Sequence, residues 1–254
     1  MSFSLRTSAS VAACALLLVL FAWGLLRLPP YGHYPGPYGD TINASAPSER
    51  KLPNAISAVN FDYRGVDTLG EEYILFAAVA GITMVLRHDR ARTTREPLPA
   101  SPGRKPDRRT DALRMFSLAG IPLTMAFGIY LAIHPHLTPG GGFQGAAMLA
   151  GFVALTIVGL GYTTFDRTTK QEPFELAEGI GAGAFVVIGL AALATGAAFL
   201  ANILPLGNEG QLFSAGTIPV INFFVAIEVF AGFVLMFAEF AHETRVEEPG
   251  KSEQ

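Results

Sequence analysis

Cysteine and charge are both scarce in this chain. One cysteine, Cys14, occurs among 254 residues. A lone thiol cannot close an intrachain disulfide, ligate an iron–sulfur cluster by itself or act as a redox pair. Cys14 lies within an apolar run and reads as a small buried filler. Lys, Arg, Asp and Glu make up 15% of the chain, against about 25% in an average globular protein. The formal net charge of −3 is uninformative, and no basic face suggests a nucleic acid. No nucleophile–base arrangement, dinucleotide fingerprint or haem-ligand pair is present. The chain therefore reads as non-catalytic, with no catalytic residues, metal or cofactor of its own.

Apolar residues fill the space the charges leave. They account for 50% of the chain, and the mean hydropathy is +0.38. A spanning helix needs about 20 mostly apolar residues, and such windows recur near residues 8–27, 69–87, 112–134, 143–162, 174–201 and 217–240. The expected fold class is all-α: a polytopic transmembrane helix bundle of about six spans. The first run follows Arg6 and resembles a signal peptide in that respect. It is longer than the usual h-region of about 7–15 residues and lacks a small-residue cleavage site, so a retained helix is expected.

Arg and Lys set the orientation. The densest block runs from Arg87-His-Asp-Arg-Ala-Arg to Arg104-Lys-Pro-Asp-Arg-Arg, and such loops stay in the cytoplasm. Alternating outward from it places Arg167, Lys170, Arg245 and Lys251 inside, with both termini cytoplasmic. The segment 202–217 then faces outward and carries no Lys or Arg. With Pro97, Pro99, Pro102 and Pro106, the basic block at 88–111 reads as a linker, and its charge could engage anionic lipid. It separates a two-helix module at 1–87 from a four-helix module at 112–242, and a polar cytoplasmic tail follows at 243–254.

Carboxylates within spans are costly, by about 2.5–3.5 kcal/mol at a helix centre. Glu228 sits near the middle of the last apolar run, in Ile227-Glu-Val-Phe-Ala-Gly-Phe. It could exchange a proton or hold Na⁺, or it could cross-link two helices as a neutral or paired group. Glu175 and Glu178 share a helix face at the start of the fifth run. Dipole compensation explains Glu175, whereas Glu178, one turn deeper, is a second candidate for an ion path. Glu71 and Glu72 open the second run after Asp67-Thr-Leu-Gly, where capping and dipole effects account for acids; Glu71 is carried as a third candidate. His134 and His136 flank a proline at the outer end of the third run. As a pair they make a poor metal site, and His134 is the candidate for proton relay at the membrane edge.

Between the third and fourth runs lies His134-Pro-His-Leu-Thr-Pro-Gly-Gly-Gly-Phe-Gln-Gly-Ala-Ala. Polar, glycine-rich backbone persists at membrane depth only when protein or a wet cavity covers it. No Gly-Lys-Ser/Thr follows, so it is not a phosphate loop. Gly140, Gly141, Gly142 and Gly145 permit a tight turn and close helix approach, and Gln144 stands at the start of the next helix.

These residues resemble a known family. His136-Leu-Thr-Pro-Gly-Gly-Gly-Phe-Gln-Gly-Ala is similar to the signature of the B subunit of Mrp-type multisubunit Na⁺/H⁺ antiporters. Ile218-Pro-Val-Ile-Asn-Phe, Glu228 and Glu178-Gly-Ile-Gly-Ala extend the likeness over about residues 112–242. Val59-Asn-Phe-Asp-Tyr-Arg-Gly-Val-Asp-Thr-Leu-Gly-Glu-Glu resembles the segment before the last helix of the large A subunit, and also small subunits of membrane-bound hydrogenases. It departs from that pattern at Tyr63 and Val66. The resemblance implies a subunit of a cation/proton antiporter in the cell inner (plasma) membrane, with other complex subunits as partners and Na⁺ and H⁺ as transported ions. It equally admits a membrane-arm subunit of a redox-driven, hydrogenase-like or complex I-like ion pump. Under the first of these, Arg64 with Asp62 or Asp67 would brace the external joint.

Overall fold

A computed structural model describes residues 3–28, 30, 32–33, 36–93 and 109–246. Helices dominate and no strand occurs among the described residues: α1 (Phe3–Leu26), α2 (Tyr38–Arg50), α3 (Ala55–Ala58), α4 (Gly65–Thr93), α5 (Asp111–Ile133), α6 (Gly142–Leu155), α7 (Tyr162–Thr168), α8 (Gln171–Ala194) and α9 (Ile218–Val246). Two π-helical turns, Val59–Tyr63 and Thr156–Leu160, interrupt the α-helical pattern. Among the described residues five helices are long and apolar enough to cross a bilayer: Gly65–Arg87, Asp111–Ile133, Gly142–Leu160, Gln171–Ala194 and Ile218–Ala241. The stretch Val11–Leu26 is a shorter apolar segment of α1, so the expected six runs become five spans and one shorter helix. Most of the basic linker, residues 94–108, and the end of the tail, 247–254, lie outside the described residues.

The chain divides into two compact units, residues 1–41 and 42–254. The first is dominated by α1, whose apolar side chains from Val11 to Leu26 are exposed. Near its end the Arg27 guanidinium stacks over the Trp23 ring, 4.6 Å from the centroid, as cations do on aromatic faces.

In the second unit α9 is the central post. It packs against α4, α5, α6 and α8, and 56% of its span is buried, against 11% for α4 and 17% for α5. Apolar faces left open on the outer helices suit a lipid environment and would be an aggregation liability in water. The core around α9 joins Phe185 of α8, Ala146 of α6, and Leu52, Ala58 and Phe61 from the segment before α4 to Ile218, Ile221, Val225 and Val229. Packing thus draws α4 onto the C-terminal helices.

Local chemistry explains the boundaries. Thr110 caps α5 by accepting from the Leu113 amide at 3.3 Å, and Asn54 caps α3 through the Ile56 amide at 3.1 Å, as expected at helix starts. The fifth apolar run reads on to residue 201, yet α8 stops at Ala194. Gly196 adopts φ +83°, and the Gly196 and Ala197 amides donate back to the Leu193 and Ala192 carbonyls. This is a glycine-terminated Schellman cap, and it turns the chain although hydropathy continues.

Candidate functional site

Three helices of the second unit meet along one seam, and each brings a buried carboxylate to it. On α4, Thr68, Glu72 and Val79 are buried and Leu75 packs on the core. Their spacing of four, three and four residues is one helical face. On α8 the buried positions Glu178, Gly181, Ala182, Phe185, Gly189 and Ala192 form a similar stripe. Gly181 lets α8 reach α9: a Cβ there would stand 2.7 Å from Glu228 Cβ and 2.8 Å from the Glu228 nitrogen. Small residues permit such backbone approach.

One turn away, the carboxylate of Glu178 lies against Gly232 of α9, and Val79 of α4 meets the same glycine, each 3.3 Å from where a Cβ would be. Glu72 lies within electrostatic reach of Glu228, and Glu228 within reach of Glu178. Exposure is 2% for Glu72, 8% for Glu178 and 1% for Glu228. Both Glu228 oxygens, Glu72 Oε2 and Glu178 Oε1 have no hydrogen-bond partner among the described residues. An ionised carboxylate buried in this way costs several kcal/mol unless a proton or cation accompanies it. Neighbouring carboxylates with free lone pairs can therefore pass or hold small cations.

The seam ends in an ion-pair node. Arg87, at the end of the α4 span, donates through Nε to Glu239 Oε1 of α9 at 3.0 Å and through Nη2 to Glu175 Oε1 of α8 at 2.6 Å. It also reaches Gln171 Oε1 at 3.2 Å. Glu239 is completely buried.

The glycine-rich loop is held by amides rather than by charges. Asn222 of α9 is fully buried. Its Nδ2 donates to the Ala132 carbonyl at 2.7 Å, and its Oδ1 accepts the Gly142 amide at 2.5 Å. Those two groups end α5 and begin α6, where backbone partners run out. Asn54 Nδ2 donates to the Pro135 and Thr138 carbonyls at 2.7 and 3.1 Å, and Ser57 Oγ donates to Pro135 at 2.7 Å. Gly145 packs on α5 so closely that a Cβ would lie 2.6 Å from the Ala132 nitrogen. Gly141 and Gly142 are buried, Gly140 is half-buried and Gln144 is exposed. His136 is buried, with Nε2 3.0 Å from the Leu212 carbonyl. Burial holds its pKa below the usual histidine value, and the bond to Leu212 only partly opposes this.

Glu228 and Glu178 are thus brought together. Glu71 is exposed, and its neighbour Glu72 occupies the seam instead. His134 stays half-buried beside the loop, with Nδ1 3.1 Å from the Tyr130 carbonyl. Among the described residues Arg64 pairs locally, with Asp67 at 2.5 Å. Asp62 makes the longer connection, to Arg50 at 2.7 Å and to Asn202 Nδ2 at 3.2 Å. Sequence reasoning gave Glu72, Arg87 and Asn222 no place among the candidate site residues. Of these, Asn222 had a visible signal, as a carboxamide inside an apolar run.

Comparison with known proteins agrees with this architecture. Residues 112–235 match the model of a domain related to the MnhB subunit of Na⁺/H⁺ antiporter. The uncharacterised protein MJ1307 of Methanocaldococcus jannaschii is 28% identical over 221 residues, covering 80% of this chain and 83% of that protein. A chain of the membrane-bound sulfane sulfur reductase, an archaeal respiratory membrane complex, superposes with a TM-score of 0.66 at 28% identity, covering 93% of this chain and 98% of its own length. A chain of the Mrp complex from Dietzia sp. DQ12-45-1b shares the fold with a TM-score of 0.68 at 22% identity, over 100% of this chain and 27% of that one. Residues 112–235 are accordingly similar to a domain related to the MnhB antiporter subunit, and they lie in a multi-pass helical membrane protein.

Proposed function

We propose that the chain is a non-catalytic membrane subunit of a multisubunit cation/proton antiporter-like complex, and that Glu72, Glu228 and Glu178 form a file of carboxylates along its ion path. One observation carries this reading: three buried carboxylates, from three different helices, converge on a single seam with oxygens that have no partner among the described residues. Na⁺ and H⁺ are the proposed ions. In this reading the membrane is the cell inner (plasma) membrane, the basic linker and both termini face the cytoplasm, and the linker could also meet anionic lipid.

The test is exchange in inside-out vesicles carrying the assembled complex. Glu228→Gln and Glu72→Gln should each lower Na⁺/H⁺ exchange about tenfold or more, with assembly intact. Glu71→Gln should stay within about twofold, because the side chain is exposed, outside the seam, and reaches Glu72 only through space. Wild-type exchange in Glu228→Gln would remove the file from the mechanism.

A second reading has its own support. The match to the sulfane sulfur reductase chain is nearly complete in both directions, whereas only part of the Dietzia chain is matched. In that case the same seam would serve a membrane arm energised by electron transfer elsewhere in the complex. Mass spectrometry of what co-purifies after gentle extraction separates the two. Iron–sulfur or flavin subunits favour the redox-driven arm, and antiporter-type subunits without them favour the antiporter.

A further inference from the structure

The carboxylate seam and the ion-pair node are built by the same three helices. Each supplies one member to each: α4 carries Glu72 and Arg87, α8 carries Glu178 and Glu175, and α9 carries Glu228 and Glu239. At about 1.5 Å per residue, Glu178 stands about 4.5 Å from Glu175 along α8, Glu228 about 16 Å from Glu239 along α9 and Glu72 about 22 Å from Arg87 along α4. The Glu178 carboxylate lies against Gly232, about 10 Å along α9 from Glu239, so the node is the next polar station beyond Glu178. It also joins a buried interior to a more open surface, since Glu239 is fully buried while Arg87 and Glu175 are 42% and 46% exposed.

We propose that Arg87 is a tethered-cation gate at this end of the file, closed while it bridges Glu175 and Glu239 and open when its guanidinium swings off Glu239 toward the surface. The gate rests on the carboxylate reading given above. Its logic is electrostatic. A guanidinium does not lose its proton in proteins, so it presents a permanent positive charge to any Na⁺ or proton leaving Glu178 in that direction. It also occupies two of the carboxylates that such a cation would next meet. Passage requires Arg87 to release Glu239, which simultaneously removes one polar tie between α4 and α9. Gln171 and Glu175, on the open side of the node, give the displaced guanidinium a place to rest.

The experiment is passive flux of radioactive Na⁺ and of protons in inside-out vesicles carrying the assembled complex, with the driving gradient collapsed. Assembly is checked on native gels. Arg87→Gln should raise passive flux about tenfold, in line with loss of a unit charge at the end of the path. Arg87→Lys keeps the charge and should remain within about twofold of wild type. Unchanged flux in Arg87→Gln overturns the gate. Equal leak in the Gln and Lys variants also overturns it, because a guanidinium acting only as a staple between helices explains that result.

If Arg87→Gln does not assemble, Glu239→Gln decides, because it removes the contact that closes the gate: a raised leak supports the gate and wild-type flux overturns it. Adding Glu72→Gln, Glu178→Gln and Glu228→Gln to Arg87→Gln separates the two ideas. A leak abolished in that background supports both. A leak that persists there places the barrier on another route and overturns the carboxylate file. Coupled exchange lost in the triple variant, with no leak from Arg87→Gln alone, keeps the file and removes the gate.

Discussion

Replacing Asn222 by alanine should be among the most damaging changes to the fold that leave every ion-path carboxylate in place. The side chain is fully buried and holds the Ala132 carbonyl and the Gly142 amide at 2.7 and 2.5 Å. Two magnitudes compete. Side-chain hydrogen bonds inside membrane proteins average about 0.6 kcal/mol each in double-mutant cycles, which gives a loss of about 1.2 kcal/mol for the pair. Leaving a buried donor or acceptor unsatisfied costs about 1–3 kcal/mol per group, or about 2–6 kcal/mol for two. The second range applies here. Both groups stand at helix ends without intrahelical partners, Gly142 is buried, and Ala132 is 7% exposed. A loss of about 3 kcal/mol should lower the melting temperature of the complex by about 6–12 °C, at 2–4 °C per kcal/mol for a domain of this size. Scanning fluorimetry of the purified complex in detergent reads this directly. Asn222→Leu fills the volume without restoring either bond and should melt close to the alanine variant. A leucine variant as stable as wild type, or an alanine variant within about 2 °C of it, would refute the clasp.

Two further outcomes follow from the packing and from His136. Gly181→Ala should destabilise the complex by about 1–3 kcal/mol, because the new methyl meets the backbone of Glu228 and Phe224 and neither can retreat. Gly179→Ala and Gly183→Ala, on the same helix but with open space around them, should be neutral or slightly stabilising; equal melting of all three variants contradicts the close approach of α8 and α9. The His136 ring donates from Nε2 to Leu212, and its buried Nδ1 has no partner among the described residues. A proton added there would be buried without an acceptor, so folding lowers the histidine's pKa. The unfolded chain then binds more protons than the native one between the native value and about 6.5, and stability rises with pH across that window. The wild-type complex should therefore lose stability as pH falls from about 7 toward 5, and His136→Gln should show a shallower loss. Identical pH slopes would rule out that contribution.

Much of the architecture was legible from residues taken one at a time. Five of the six apolar runs became spans and the glycine-rich stretch became a covered joint between α5 and α6. Glu228 and Glu178 stood out because a carboxylate in a long apolar run has few uses. The end of α8 was misread for the opposite reason, since Ala197 to Ala201 continue the hydropathy while Gly196 and the returning amide bonds stop the helix.

The choice between Glu71 and Glu72 shows where sequence alone stopped. Consecutive residues on a helix point about 100° apart, and a helix apolar on nearly every side carries no moment to say which side is inner. Only the packing of Val79 and Leu75 toward α9 turns Glu72 inward and leaves Glu71 outside. Arg87 and Glu239 are 152 positions apart and become one node solely because α4 and α9 lie side by side. Hydropathy belongs to each residue and survives in the bare sequence, so the chain itself determined the spans and the glycine-rich joint. Rotation about a helix axis and pairing across distant segments are properties of the packed bundle, and only the tertiary structure decided which acids face one another.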